Sequence, residues 1–414
     1  MSPTISAKDR NILRELAKKQ LEYANSPANK ETIRLWYLHN ACKGERPMIH
    51  LEMGTFRREI IPKRQKCEGE RARSVEDIIL QSFTNHEAFA DDKPVVDYYP
   101  VYERERLLPF GVVVETEHAE SPNGGRQGYR FKYPIADLRD DFEIIKKSEF
   151  HIQPGEAERE RDFVNDIIGD ILPVKTVSHS FRIYPTFDML RLMGTEQFFV
   201  ALLEYPELVA KALDQLADDY IEYLRLLENK KMLHPTTSSE LLTMGSFCFT
   251  EELDESTPVK AAGSWGHLNS QETVGVSPKT FAEIIAPSFN KLAAEFGLMS
   301  YGCCEPVHEI WDAVLSKWDN LRKLSIAPWC DEEIMGERLR GTNIIFHRKP
   351  SSNYLGVGTA LDEDAFRAHV RKTVNAARGC TLEITQRDVY TINHDEAKAR
   401  RYVEIIREEM ANHS

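Results

Sequence analysis

Short apolar segments alternate with helical segments along most of this 414-residue chain. Alternation of this kind is typical of strands that lie parallel in one sheet, with helices covering them. The pattern therefore predicts an α/β fold, and eight repeats of it predict a (β/α)8 TIM barrel. The eight strand candidates are residues 47–52, 94–101, 174–182, 241–248, 298–302, 321–327, 343–347 and 380–385.

Two regions fall outside this repeat. Residues 1–45 are helical in pattern, heavily charged and end at Gly44, so we expect an N-terminal helical arm ahead of a barrel at 46–414. Within the barrel, Ser121-Pro-Asn-Gly-Gly125 is a strong turn signal in residues 112–150. This turn predicts an inserted hairpin.

The composition excludes several classes of protein. The formal net charge of −13 argues against a nucleic-acid-binding surface, which needs a basic face. We find no apolar run of the length that a membrane helix needs and no apolar signal-peptide core, so we expect a cytoplasmic protein. Seven cysteines without a Cys-x-x-Cys pair indicate a reducing compartment and exclude a zinc ribbon.

The most informative stretch is residues 298–330, where the apolar pattern predicts a strand, a helix and a second strand. Its two strands end at Cys303-Cys304-Glu305 and at Trp329-Cys330, and barrel enzymes place their chemistry at such ends. Thiolates and a carboxylate suit zinc, so Cys303, Cys304 and Glu305 are predicted metal ligands, with Glu305 also a catalytic candidate. The alternative is a buried thiol pair, with Glu305 stabilising the start of a helix.

Other strand ends supply further candidates. Glu52 and His179 are predicted catalytic groups, and the predicted substrate contacts are His50, Tyr98, Gln271, Tyr301 and Trp329. Flat aromatic side chains among few polar groups favour an aromatic ether over a polycarboxylate as the ligand. The segment His347-Arg348-Lys349 ends another strand, where a cation either binds an anionic group or is simply surface charge.

Three segments carry a family resemblance. The sequence around Gly194 and Pro206-Glu207, the segment 277–290 and the ending from Leu382 resemble the uroporphyrinogen decarboxylase superfamily over roughly residues 30–410. The resemblance implies a (β/α)8 barrel, a homodimer and one of two chemistries. These are decarboxylation of a tetrapyrrole without a cofactor, and methyl transfer to or from a corrinoid. It also suggests a second metal set, Glu143, Glu158 and His179, like that of corrinoid-linked aryl O-demethylases.

Two departures from the family pattern favour methyl transfer. The decarboxylases carry an Arg-Gln-Ala-Gly-Arg run where this chain has only Arg57-Arg58, and their catalytic aspartate has no counterpart near Tyr99–Glu103. The methyltransferases carry His-x-Cys where this chain has Tyr301-Gly-Cys303, so the cysteine is carried over and the histidine is not. Their third ligand falls on Gln386-Arg387-Asp388.

The resulting prediction is a methyltransferase that moves a methyl group from a small methylated substrate, an aryl methyl ether, to a Co(I) corrinoid (cobalamin). We find no Asp-x-His-x-x-Gly motif in the sequence, so the corrinoid is expected on a partner protein. Two alternatives stay open: a decarboxylase or lyase of a small acid, and a barrel kept as a non-catalytic scaffold.

Overall fold

The strands and helices of the chain are taken from a computed structural model that describes residues 5–118, 128–178 and 180–413. In chain order the strands are β1 (Met48–Leu51), β2 (Tyr99–Tyr102), β3 (Glu105–Leu108), β4 (Thr116–His118), β5 (Tyr129–Phe131), β6 (Glu149–Ile152), β7 (Val174–Val177), β8 (Phe181–Ile183), β9 (Leu241–Leu242), β10 (Ser246–Phe247), β11 (Trp265–Leu268), β12 (Leu298–Tyr301), β13 (Leu321–Ile326), β14 (Ile345–Arg348) and β15 (Leu382–Gln386).

The helices begin at N-caps or prolines that the sequence supplies, such as Ser6, Ser26 and Pro206. They are α1 (Ala7–Asn25), α2 (Pro27–Asn40), α3 (Ile61–Arg64), α4 (Glu70–Ala88), α5 (Glu156–Ile168), α6 (Pro185–Glu204), α7 (Pro206–Lys230), α8 (Pro278–Thr280), α9 (Ala286–Ala293), α10 (Glu332–Leu339), α11 (Asn353–Gly356), α12 (Glu363–Ala376) and α13 (Glu396–His413).

A seven-stranded parallel sheet is the centre of the fold. Its strand order is β1-β15-β14-β13-β12-β11-β8, and every pairing in it is parallel. The strand β2 pairs in parallel with β7, which precedes β8 by only a few residues. The predicted α/β class with a parallel central sheet is therefore confirmed.

One predicted strand of the sheet is wrong. Residues 241–248 form the antiparallel hairpin β9–β10 instead, because Met244 (φ 72°) and Gly245 (φ 80°) turn the chain back on itself. The missing strand is β11, which lies in residues 261–275, a segment whose Gly, Ser and Trp content predicts a loop. Gly266 makes this strand hard to recognise in the sequence. The structure needs a glycine there, because a Cβ would lie only 2.5 Å from the ring of Phe296.

The predicted helix between β12 and β13 is also not observed. The connection consists of turns and one 3₁₀ turn at Leu315–Lys317. Its apolar residues still pack on the sheet, since Val307, Ile310 and Trp311 belong to the main hydrophobic core. Periodic apolar spacing alone therefore did not specify a helix here.

The N-terminal helices pack on the rest of the molecule, and two short strands pair within the inserted segment. The helices α1 and α2 pack onto the rest of the molecule, and α2 buries Trp36 and His39 completely. The strands β4 and β5 pair antiparallel, as the inserted hairpin requires, while its predicted turn at 121–125 lies outside the described residues.

The two faces of the central sheet differ in chemistry. Successive side chains of a strand point to opposite faces. One face carries Ile49, Met299, Tyr301, Leu324, Phe346 and Ile384, which belong to the main hydrophobic core. The opposite face, called the polar face below, carries the buried side chains of His50, His267, Ser300, Lys323, Ser325, His347, Glu383 and Thr385.

An ion cluster holds the polar face near the amino ends of the strands. The Glu383 carboxylate accepts a hydrogen bond from Lys323 Nζ at 2.9 Å, and His39 Nε2 lies 3.3 Å from the same oxygen. Burial alone would raise the pKa of Glu383, but His347 and Lys323 hold that pKa well below its usual range. The Glu383 carboxylate thereby connects α2, which carries His39, to the sheet, and its charge is balanced by Lys323.

Candidate functional site

A cavity of about 380 Å³ opens beside the carboxyl end of β1. Three of the predicted site residues, His50, Glu52 and Tyr98, line it together. Much of the remaining lining is apolar and comes from Met53, Ile78, Val96, Leu241 and Phe247, and the other polar side chains in it include Gln81, Ser82, Lys93, Ser239 and Glu240. A largely apolar cavity with few convergent polar groups is the usual form of a small-molecule site.

Two polar groups in this cavity have fixed orientations. His50 Nδ1 lies 2.6 Å from the carbonyl oxygen of Gly245, so that nitrogen carries the proton and Nε2 faces away from it. The hairpin turn at Met244-Gly245 thus sets the tautomer of His50. The Tyr98 hydroxyl lies 2.6 Å from Ser239 Oγ, and burial raises the pKa of Tyr98.

Glu52 joins the cavity to the end of the neighbouring strand β15. Arg387 Nε donates to Glu52 Oε2 at 2.6 Å, and both side chains are half-buried. Burial opposes the charge of Arg387, but the carboxylate of Glu52 raises the pKa of the guanidinium above its usual value. Arg387 therefore keeps its charge at the mouth of the site.

Lys349, which the sequence leaves open as an anion-binding cation, and His267, which it does not predict as a site residue, lie at the carboxyl end of the polar face. Lys349 is 5% exposed and His267 is fully buried. Burial, together with Arg387, lowers the pKa of Lys349 to about 7. Burial and the cations Lys349 and Arg387 lower the pKa of His267 well below its usual value, so this imidazole is neutral.

The predicted metal ligands Cys303, Cys304 and Glu305 are not arranged as a ligand group in the described part of the chain. Glu305 accepts hydrogen bonds from the backbone N–H groups of Ser270 and Cys303, both at 2.8 Å, so each of its oxygens already has a partner. Across residues 5–118, 128–178 and 180–413, no group of three or more His, Cys, Asp and Glu side chains is placed to hold a metal ion. Glu305 instead positions the β11 and β12 loops.

The two thiols form a pair of their own. Cys303 Sγ and Cys304 Sγ are 3.6 Å apart, and both residues are half-buried. The hydrogen bond to Cys304, with burial, raises the pKa of Cys303, and the same bond lowers the pKa of Cys304. The alternative of a buried thiol pair with Glu305 at the start of a helix is met only in part, because the thiols are half-buried and no helix begins at Glu305.

A buried carboxyl group follows β8 on α6. Burial raises the pKa of Asp188 to about 7, and the hydrogen bond from Tyr220 at 2.8 Å offsets only part of this rise. Tyr220 also lines a second cavity of about 300 Å³ that contains Glu103 and Glu105. The two cavities share the lining residues Tyr102 and Val177, and thus lie side by side.

The remaining predicted residues are scattered. Tyr301 lies in the hydrophobic core against Trp318, on the face opposite the polar face. Trp329 is 68% exposed, and Gln271 is exposed as well. Of the second metal set, Glu143 and Glu158 are exposed, and His179 lies outside the described residues.

Lys349, Arg387 and His267, of which only Lys349 is raised as a possible anion-binding group from the sequence, share a signal in the sequence. Lys349 follows His347 by two positions, and Arg387 follows Thr385 by two, so both continue the polar face beyond the strand ends. His267 was missed because β11 was interpreted as a loop. Alternation along correctly assigned strands would have identified all three.

No protein-family model matches the chain, and a comparison with curated proteins gives no match either. No helix in the described parts of the chain is both long and apolar enough to cross a membrane.

Proposed function

We propose that the protein is a methyltransferase that takes a methyl group from a small methylated substrate, an aryl methyl ether, for transfer to the Co(I) corrinoid of a partner protein. The observation that carries the proposal is the cavity at the end of β1, where an apolar wall meets His50, Glu52 and Tyr98. Its volume of about 380 Å³ suits one aromatic ring with its substituents.

We further propose that the strands close into the (β/α)8 barrel that the sequence predicts. Support comes from three pairings: the first strand, β1, pairs with the last strand, β15; β8 pairs with β11; and β2 pairs with β7, which shortly precedes β8. In such a barrel the ends of all the strands open on one side, so the cavity, Arg387 and Lys349 share one mouth.

The chain's own residues would bind the ether and manage the proton on its oxygen. When the His50 ring is protonated, Nδ1 stays bonded to the Gly245 carbonyl and Nε2–H is free to donate to the leaving oxygen. The C–O bond of the ether breaks and the oxygen takes this proton. The corrinoid supplies the nucleophile that accepts the methyl group.

Zinc has no part in this proposal. The described residues offer no suitable ligand group, and both oxygens of Glu305 are occupied by backbone N–H groups. Activation of the leaving oxygen is therefore assigned to a proton donor.

The test is formation of methylcobalamin from cob(I)alamin and a panel of methoxybenzenes, followed by absorbance. The purified protein should be colourless and should turn over only with reduced corrinoid. We expect His50→Gln to lower the rate about a hundredfold or more. The matched control is His151→Gln, since His151 is an exposed histidine on β6. Methyl transfer without any corrinoid, or an unchanged rate in His50→Gln, would overturn the proposal.

One observation favours the second candidate, a decarboxylase or lyase of a small acid. Arg387 and Lys349 place two cationic groups near one another at the strand ends, where a carboxylate would be bound. Product analysis separates the two reactions, because a decarboxylase releases carbon dioxide from the acid and forms no methylcobalamin.

A further inference from the structure

Two buried polar atoms at the carboxyl end of the polar face have no hydrogen-bond partner among the described residues. They are Lys349 Nζ and His267 Nε2. Both residues are more than nine-tenths buried, and the charge of Lys349 acts on His267. Since buried polar groups are almost always paired, two unpaired ones in the same place indicate that something else pairs with them.

The carboxylates that act on Lys349, Glu52 and Glu383, are each hydrogen-bonded to another cation. Glu52 is bonded to Arg387, and Glu383 is bonded to Lys323 and lies beside His39. The titratable or charged groups that face Lys349 are Arg387, Cys303, Cys304, Glu52, Glu383, His267 and His347. The ammonium therefore lacks an anionic partner, although burial of an unpaired charge is costly.

The neutral His267 completes a set of hydrogen-bond donors. The Ser300 hydroxyl lies 3.1 Å from His267 Nδ1 and can donate to it, which leaves the ring proton on Nε2. Nε2–H then adds a neutral donor beside the Lys349 ammonium. A donor set of this kind suits an anionic oxygen rather than a cation or an apolar group.

We infer that Lys349 and His267, with Arg387 at the rim, bind a carboxylate group carried by the methyl donor. This inference rests on the proposed function and narrows its substrate class to methylated aromatic acids. Cys303, Tyr184 and Arg387 are half-buried side chains that follow the ends of β12, β8 and β15, and the charges of Arg387 and Cys303 act on Lys349.

The experiment compares acids with their neutral isosteres. Binding of ortho-, meta- and para-methoxybenzoate and of the three corresponding amides is measured by calorimetry, with no corrinoid present. At least one acid should bind about tenfold or more tightly than its amide, as expected for hydrogen bonds to a charged group. Lys349→Met should abolish this preference and leave the amide affinity unchanged.

A second buried lysine provides the control. Lys398 is also 5% exposed, but its Nζ donates to the Gly358 carbonyl on the α13 side of the molecule. Lys398→Met should retain the preference for the acid. Thermal unfolding of each variant checks folding, and the folded Lys349→Met protein should lose the stabilisation that the acid gives to the wild type.

Two results would overturn the carboxylate site: equal affinity for every acid and its amide, or a preference that survives Lys349→Met. Methylcobalamin formation is followed in a separate assay. A Lys349-dependent preference without methyl transfer would therefore refute the proposed function and support the carboxylate site.

Discussion

Two lysines on the same face of the sheet show how far the effect of a buried charge depends on its partner. Lys323 is fully buried and donates to Glu383 at 2.9 Å, whereas Lys349 has no partner among the described residues. Losing one member of a buried pair leaves the other charge unsatisfied, but losing an unpaired charge removes a cost. The same substitution should therefore have opposite effects at the two positions.

We predict that Lys323→Met lowers the free energy of unfolding by roughly 3–5 kcal/mol, because Glu383 loses its main counterion. Lys349→Met should leave that free energy unchanged or raise it by about 1 kcal/mol or more. Urea unfolding of the ligand-free variants measures both effects. A similar loss in the two variants would mean that Lys349 has a partner that stabilises the fold.

The raised pKa of Asp188 gives a pH-dependent prediction. The folded-state pKa of about 7 lies above the ordinary 3.8, so the folded protein binds the proton more tightly than the unfolded chain. Stability is then lost as pH rises between these values and stays reduced above pH 7. An amide at this position cannot ionise, so Asp188→Asn should gain roughly 2–3 kcal/mol relative to the wild type between pH 5 and pH 8. A stability difference that is independent of pH would contradict the raised pKa.

Among the elements, the packing of β11 depends on Gly266, a residue that favours a loop in the sequence pattern. A Cβ at Gly266 would lie 2.5 Å from the Phe296 ring and 2.7 Å from Met299 Sδ. We predict that Gly266→Ala costs about 1–3 kcal/mol by overpacking this contact. Gly128→Ala is the control, since no atom of the described residues lies within 4 Å of a Cβ there. The midpoints of urea unfolding of the two variants are compared. Equal midpoints would contradict the close packing of β11.

The same element shows what the sequence could and could not predict. Long helices such as α7 and most central strands were predictable, because their apolar periodicity follows from burying one face. The sequence predicts a strand at 241–248, where the structure has a hairpin, and a loop where it has β11. The reason is that the long apolar run around the Met244-Gly245 turn is more typical of a strand than the short segment Trp265-Gly-His-Leu is.

The site was predictable where it depends on strand ends alone. His50, Glu52 and Tyr98 share one cavity as their positions suggested. The pairing of Lys349 was not predictable, because it depends on which partners Glu52 and Glu383 already have, and these are set by contacts between distant segments. The hydrogen bonds of Glu305 were unpredictable for a similar reason. Both of its carboxylate oxygens accept hydrogen bonds from backbone N–H groups of two separate loops, after β11 and after β12.

At the scale of the whole molecule, we still propose a homodimer. Light scattering at micromolar concentration should give twice the mass of the 47.6 kDa chain. A monomer under these conditions would remove the proposal.

The proposed function also requires a surface for the corrinoid protein near the strand ends. Trp329 follows β13 and is 68% exposed, which is unusual for the largest apolar side chain. It is absent from the lining of the two cavities described above. Tryptophan is frequent among residues that dominate protein interfaces. We therefore propose that Trp329 contacts the partner, in place of the substrate contact that the sequence suggested.

The two roles of Trp329 predict different kinetics. If it contacts the partner, Trp329→Ala should lower the rate with the corrinoid protein about tenfold or more and leave the rate with free cob(I)alamin unchanged. If it contacts the substrate, both rates should fall together. Leu203→Ala serves as the control, because Leu203 is 82% exposed but lies near the end of α6. Equal loss in the two variants would show that neither side chain is a specific contact, since the effect would then follow from exposed apolar area alone.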